Sequence, residues 1–215
     1  MARPREFDEN AVLETAMQCF WVRGYQGTSM RDLAEHMKMT GASLYNAFGD
    51  KRHLYGRALD LYVENSFGDR ATRFEHGLSP RQAIGAFFDE VVARSLDDTQ
   101  HKGCMLVNSA LEVAPHDLEF QRVIADVLVR VEQFFLRCLR AGQAAGTVTA
   151  TLSADDLARL LLSTLLGIRV LARARPERAL LEGLVRPVYA LLDGAAAAPR
   201  RQRSRPTAHR HLPAQ

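Results

Sequence analysis

The chain has 215 residues, 47% of them apolar and 25% charged, which is enough for one large or two small globular domains and too apolar for a disordered segment. No apolar run reaches the length of a membrane span, and the start, MARPREFDEN, lacks the apolar core of a secretory leader. Its three cysteines, Cys19, Cys104 and Cys138, stand far apart, which excludes a disulfide framework or zinc ribbon and suits a reducing, cytoplasmic setting.

Charge is unevenly placed. Residues 1–53 carry seven basic and seven acidic side chains, residues 54–198 are net −2, and residues 199–215 hold five arginines and no acid. The basic balance is therefore a property of the last stretch, 195–215, which reads as a disordered tail able to add nonspecific phosphate contacts.

In chain order, Asp8 caps a first helix to about Arg23. Leu13, Ala16, Met17, Phe20 and Trp21 form its buried face, and Gly24 is its stop. Thr28 and Ser29 open a second helix, where Ser29 and Asp32 resemble a capping box and Met30, Leu33, Ala34 and Met37 form one stripe. Lys38-Met39-Thr40 is a tight turn with Met39 pointing inward. Thr40 then caps a third helix in which Leu44 and Phe48 face a core. Thr40, Gly41, Ser43, Tyr45 and Asn46 are left outside, a small and hydroxyl-rich face at a helix start, the layout of a helix-turn-helix that presents its second helix to the major groove. Asp50 caps a fourth helix to about Ser66, with Lys51 in its first turn. On a neutral domain, DNA affinity would need Arg3, Arg5, Arg31, Lys38, Lys51 and Arg52 gathered on one side.

Ser79-Pro80 starts a fifth helix carrying Ile84, Phe87, Phe88 and Val91. The polar break DDTQHKG leads to a short apolar helix from Cys104, and one long helix spans Asp117 to about Ala145. Ser153 and Asp156 open a helix that is apolar on nearly every side to about Ala174, and a last one follows Pro176 to about Leu192. The expected class is all-α with about nine helices, divided into a helix-turn-helix DNA-binding domain (1–53), a helical regulatory and dimerisation domain (54–194) and the tail. A helix that is apolar all round must be covered all round. That predicts a symmetric homodimer through Leu157, Leu161, Leu165, Leu184, Val188 and Leu191.

Residues of about 9–54 resemble the DNA-binding domain of the TetR/AcrR family of bacterial transcriptional regulators. The resemblance is carried by Gly24-Tyr25, Thr28-Ser29, Leu33-Ala34, Thr40, Leu44-Tyr45, Phe48 and Lys51. It implies that Thr28, Tyr45 and Lys51 touch phosphates and that Arg31, Thr40, Gly41, Ser43 and Asn46 lie near base edges. Two positions depart from the family pattern: Lys38 stands where glycine is usual, and Ala47 where histidine or another aromatic is common. The resemblance further implies dimerisation through the final two helices and a small-molecule inducer bound in the body. Candidate pocket residues are Phe87, Phe88, Val91, Met105, Phe120, Ile124, Leu128 and Phe135.

Cys104 follows Gly103 at a helix start, where the dipole favours thiolate, and is a candidate sensor of electrophiles or oxidants. His101, Cys104 and His116 match no standard metal spacing, so no metal or cofactor is expected. No catalytic serine, histidine and aspartate order, carboxylate pair or phosphate loop stands out. The expected function is a homodimeric repressor released from a palindromic operator by a small-molecule or thiol-reactive ligand. The alternative is an all-helical small-molecule-binding protein or enzyme without DNA binding.

Overall fold

A computed structural model describes residues 8–193. Arg3, Arg5 and the 195–215 tail lie outside the described residues. The described chain is all-helical and holds no strand. Its helices are α1 (Glu9–Arg23), α2 (Met30–His36), α3 (Gly41–Phe48), α4 (Lys51–Val63), α5 (Asp69–Gly77), α6 (Pro80–Leu96), α7 (Met105–Glu112), α8 (Leu118–Ala144), α9 (Ala154–Ala174) and α10 (Arg178–Leu192). A π-helical turn, Glu64–Gly68, joins α4 to α5 without a break. Counting that run as one rod gives the nine rods expected.

Most boundaries follow local chemistry. Asp8, Ser29, Thr40, Asp50, Asp117 and Ser153 each accept a hydrogen bond from a backbone N–H of the first turn they cap. Lys38 sits at φ 54°, so the turn before α3 does place a non-glycine residue in the left-handed region. The α5 segment is the element that periodicity did not reveal. Ala71 and Phe74 are its buried apolar pair, and no side chain caps it. It is held by packing against α6, so its helicity is a tertiary effect.

Two apolar cores fill the molecule. The first joins α1–α4 and α7 to the start of α8 through Phe20, Leu33, Leu44, Phe48, Tyr55, Met105, Phe120 and Ile124. The second joins α5, α6, the rest of α8, α9 and α10 through Phe88, Phe134, Phe135, Leu139, Leu157, Leu161 and Leu181. At 27 residues, α8 is about 40 Å long and belongs to both.

Burial within the chain divides the residues expected at the dimer interface. Leu157 and Leu161 are fully buried, and Leu165 and Val188 nearly so, inside the chain's own second core. The neighbours α8, α6 and α10 already cover that side of α9. What stays open is the opposite face, with Leu160 at 40% and Val170 at 48% exposure and Gly167 between them. On α10, Leu184 and Leu191 remain half-buried.

Candidate nucleic-acid interface and effector cavity

The helix α3 splits as its sequence demands. Leu44 and Phe48 are buried, while Gly41, Ser43, Tyr45 and Asn46 are exposed. Nothing lies within 4 Å of the position a Gly41 Cβ would take, so this end of the helix is open to close approach. Thr40 Oγ1 accepts from Ser43 N at 3.1 Å and donates to Ser43 Oγ at 2.8 Å. That arrangement caps the helix and leaves the Ser43 hydroxyl hydrogen directed elsewhere. On α2, Arg31 Nε is 3.1 Å from Glu35 Oε1 with its side chain 87% exposed, so a stronger acceptor can displace that pair.

Thr28, Lys51 and Arg52 each meet groups within the chain. Thr28 is 1% exposed, and its hydroxyl donates to Gly24 O at 2.8 Å, so its side chain belongs to the α1–α2 loop and not to the reading face. Lys51 is partly buried with Nζ 4.3 Å from the Tyr25 ring centroid, and burial lowers its pKa against the opposing pull of Glu112. Arg52 turns away from the α3 face: Nε and Nη2 bond the Asp117 carboxylate at 2.7 and 3.1 Å, and Nη2 reaches Glu119 at 2.7 Å. It therefore ties α4 to the start of α8.

Two further ties bind this head to the rest. Glu112, at the end of α7, accepts from the backbone N–H of Tyr25 at 3.1 Å and of Gln26 at 2.7 Å. Gly24 is required there twice: its φ is 79°, and a Cβ would come within 2.7 Å of Glu112 Oε2. Trp21 Nε1 donates to Gly103 O at 3.2 Å, beside the start of α7. Within the shared core, Tyr55 meets Phe20, Tyr25 and Phe120 edge-on, with ring centroids 4.9, 4.8 and 5.4 Å apart.

A largely apolar cavity of about 50 Å³ lies at the seam of the two cores. Val63, Leu106 and Val127 line it from the first core, and Phe87, Val131 and Leu165 from the second. Of the eight expected pocket residues, Phe87 and Leu128 line it. Phe88, Val91 and Phe135 instead pack in the second core, and Met105, Phe120 and Ile124 in the first. Each of these is apolar and at core spacing, and that signal does not separate a wall from a filled interior. Cys104 also lines the cavity, at the N-cap of α7. Tyr62 beside it is kept neutral first by its own burial and then by the neighbouring Cys104. Burial pushes the Cys138 thiol up to about 11, and burial likewise raises Cys19. Among the described residues no three His, Cys, Asp or Glu side chains converge as a metal site would require.

Residues 12–58 match the family model "Bacterial regulatory proteins, tetR family", and residues 80–188 match "Tetracyclin repressor-like, C-terminal domain". The chain belongs to the TetR family. It is a DNA-binding transcriptional regulator and not an enzyme. One relative in this family is an uncharacterised HTH-type transcriptional regulator, YezE, of Bacillus subtilis. It is 34% identical over 197 residues, spanning 90% of this chain and all of that protein. The HTH-type transcriptional repressor ComR of Escherichia coli is 27% identical over 184 residues, spanning 85% of this chain and 86% of that one. Among solved structures, a cysteine mutant of the TetR-family regulator CifR, complexed with a 26-base-pair double-strand operator DNA, superposes with a TM-score of 0.79 at 31% identity, covering 89% of this chain and all of that one. No described helix of this TetR-family chain is long and apolar enough to cross a membrane.

Sequence reasoning missed three parts of this TetR-family arrangement. Glu112, Arg52 as a tie, and the polar cavity members Ser66, Arg70 and Arg169 lie far in sequence from what they serve, and no local pattern marks them.

Proposed function

We propose that the chain is a homodimeric repressor that grips a palindromic operator through the exposed face of α3 and releases it when a small-molecule or thiol-reactive ligand enters the seam cavity. The observation that carries the reading is α3 itself. It is anchored by Leu44 and Phe48, and Thr40, Gly41, Ser43, Tyr45 and Asn46 are left on one open face. In this reading Tyr45 and Lys51 bind phosphates, while Arg31, Thr40, Gly41, Ser43 and Asn46 lie near base edges. The operator complex of CifR and the repressor designation of ComR support it by similarity. Dimerisation would use the uncovered faces of α9 and α10, around Leu160, Gly167, Val170, Leu184 and Leu191. Two α3 helices would then stand one DNA turn apart.

Release follows from where the cavity lies. Its walls include the end of α4 and the start of α7 on the head side, and α6 and α9 on the body side. A ligand that parts them shifts the head relative to the dimer face and moves the two α3 helices out of register. A thiol-reactive effector would reach Cys104 in the same wall.

Gel shift against DNA from upstream of the chain's own coding sequence tests the assignment. Tyr45→Phe and Lys51→Ala should weaken binding to all sequences, and Lys51→Ala, which removes a cation, should also lower the salt slope by about one unit. Ser43→Ala and Asn46→Ala should change sequence preference by about 1–3 kcal/mol at individual base pairs. Binding unaltered by all four substitutions removes α3 as the reading helix. Alkylation of Cys104 that leaves operator affinity unchanged removes the thiol route alone.

A further inference from the structure

Arg70, in the wall of the seam cavity, carries two nitrogens that the fold leaves without a hydrogen bond. Arg70, just inside α5, is 4% exposed and lines the cavity. Its Nε and Nη2 atoms are buried and make no hydrogen bond. Nε lies 3.3 Å from Glu90 Oε1, near enough for charge attraction but not aligned for a bond. That carboxylate is shared, since Arg94 Nη2 reaches Oε1 at 2.7 Å and Arg73 Nη2 reaches Oε2 at 2.8 Å. Three guanidinium groups thus face one carboxylate. Arg169, also in the cavity wall, adds a fourth; its Nη1 donates to Ser95 Oγ at 3.3 Å, and among the described residues it has no carboxylate partner. Burial accordingly pushes the Arg70 pKa down to about 10, with Arg94 and Arg169 adding to the effect and Glu90 opposing it.

This edge has a definite shape. The Nε/Nη2 pair is the side of a guanidinium that clamps a carboxylate through two parallel bonds. The same edge is used that way elsewhere in this chain, by Arg52 on Asp117, Arg81 on Asp193 and Arg175 on Glu177. In Arg70 it is desolvated and without a hydrogen bond, its Nε meeting only the shared Glu90 carboxylate, a costly state in an interior unless a ligand completes it. Around it the cavity is apolar, with Phe67, Phe87, Val107, Leu128 and Leu166 among its walls and the Arg70 Cζ 5.5 Å from the Phe87 ring centroid.

We propose that the seam cavity is a binding site for a small monocarboxylate with an apolar body, its carboxylate held side-on by the Nε/Nη2 edge of Arg70 and its body lying among Phe67, Phe87 and Leu128. The inference rests on the reading that the effector enters this cavity. About 50 Å³ holds only a few waters, so an acid with more than a few carbons must push α4, α7 and α9 apart. A second cavity, more polar, shares Tyr62, Ser66 and Arg169 with the first and is lined by both basic (Arg94, Lys102) and acidic (Asp97, Asp98) side chains. Trp21, the chain's single tryptophan, lines that neighbouring cavity and reports on the region.

The test is a titration of the full-length protein, followed by Trp21 fluorescence and calorimetry. The ligands are the straight-chain acids acetate through octanoate, each beside its matching alcohol and primary amide. At least one acid should bind saturably, and about ten- to a hundredfold more tightly than its alcohol or amide, the worth of a charge-assisted pair. Arg70→Gln should erase that preference, and Arg70→Lys should keep the preference for the acid with weaker binding, because an ammonium cannot form the two-pronged contact. Equal binding of acid and alcohol by the unaltered protein overturns the proposal, a comparison that needs no variant to fold. So does no binding below about 10 mM, or acid binding unchanged in Arg70→Gln. Operator gel shifts separate this from the regulatory reading. Acid binding that needs Arg70 but leaves operator affinity unchanged keeps the site and removes ligand release; release by neutral ligands alone keeps regulation and removes this site.

Discussion

Lys51 and Arg52 are neighbours in the first turn of α4, yet their surroundings assign them different tasks. Lys51 stands over Tyr25 at the edge of the head, where an added phosphate would meet a partly desolvated ammonium. Arg52 is committed to Asp117, whose carboxyl it holds down at about 2, below the ordinary 3.8, as the first cause of that shift. A carboxyl with a depressed folded-state pKa contributes stability that is whole above 3.8 and is lost as pH falls through about 2. Melting temperature should therefore drop between those limits, and Asp117→Asn should flatten that part of the profile while leaving stability less sensitive to acid. A profile identical in Asp117→Asn would show the Arg52 tie to be idle. The same scale explains why Thr28 leaves the reading face: its hydroxyl is consumed by Gly24 O, whereas the exposed Tyr45 presents its ring outward.

At the scale of elements, short-range caps and a long-range clasp set the head. Thr40→Ala should cost about 1 kcal/mol by removing the α3 cap, and Thr40→Ser should restore it; urea unfolding reads both. If the alanine variant loses DNA binding but the serine variant regains only stability, the threonine methyl takes part in reading bases. The α1–α2 loop depends instead on Glu112, far along the chain. Gly24→Ala forces a side chain into a glycine-only backbone region and into the Glu112 carboxylate. It should destabilise by about 1–3 kcal/mol in urea unfolding. Glu112→Gln should loosen the loop with a smaller loss, visible as faster amide exchange at Tyr25 and Gln26. α5 illustrates the opposite regime, a polar helix with no side-chain cap whose place is set by α6.

At the scale of the whole molecule, the two cores and the open faces of α9 and α10 decide how a head could be coupled to a partner. Leu161→Ala should cost about 2–5 kcal/mol by hollowing the second core, with little change in mass by light scattering if the dimer survives. Leu160→Arg together with Val170→Arg should do the reverse, leaving thermal unfolding of the monomer near normal while halving the solution mass and weakening operator binding. A dimer unaffected by that pair moves the interface off this face of α9.

The helix-turn-helix was legible because its determinants are near neighbours in the chain. Ser29 with Asp32, Thr40 with Ser43 and Leu44 with Phe48 are separated by one helical turn, and Gly24 and Gly49 stop their helices through their own backbone angles. The sequence by itself thus determined the class of fold, the open face of α3 and most helix ends. Tertiary structure alone decided which side of an apolar helix is spent on its own core, so that Leu157, Leu161, Leu165 and Val188 turned inward and Leu160 and Val170 outward. It also decided that Phe87 and Leu128 would border the cavity while Phe88 and Phe135 would not, and that Arg70 would be buried with its Nε/Nη2 edge short of hydrogen bonds. The physical reason is common to all of these. Caps and periodicity act over three or four residues, whereas burial and charge balance depend on which distant segments arrive at the same place, and composition along one helix carries no record of that.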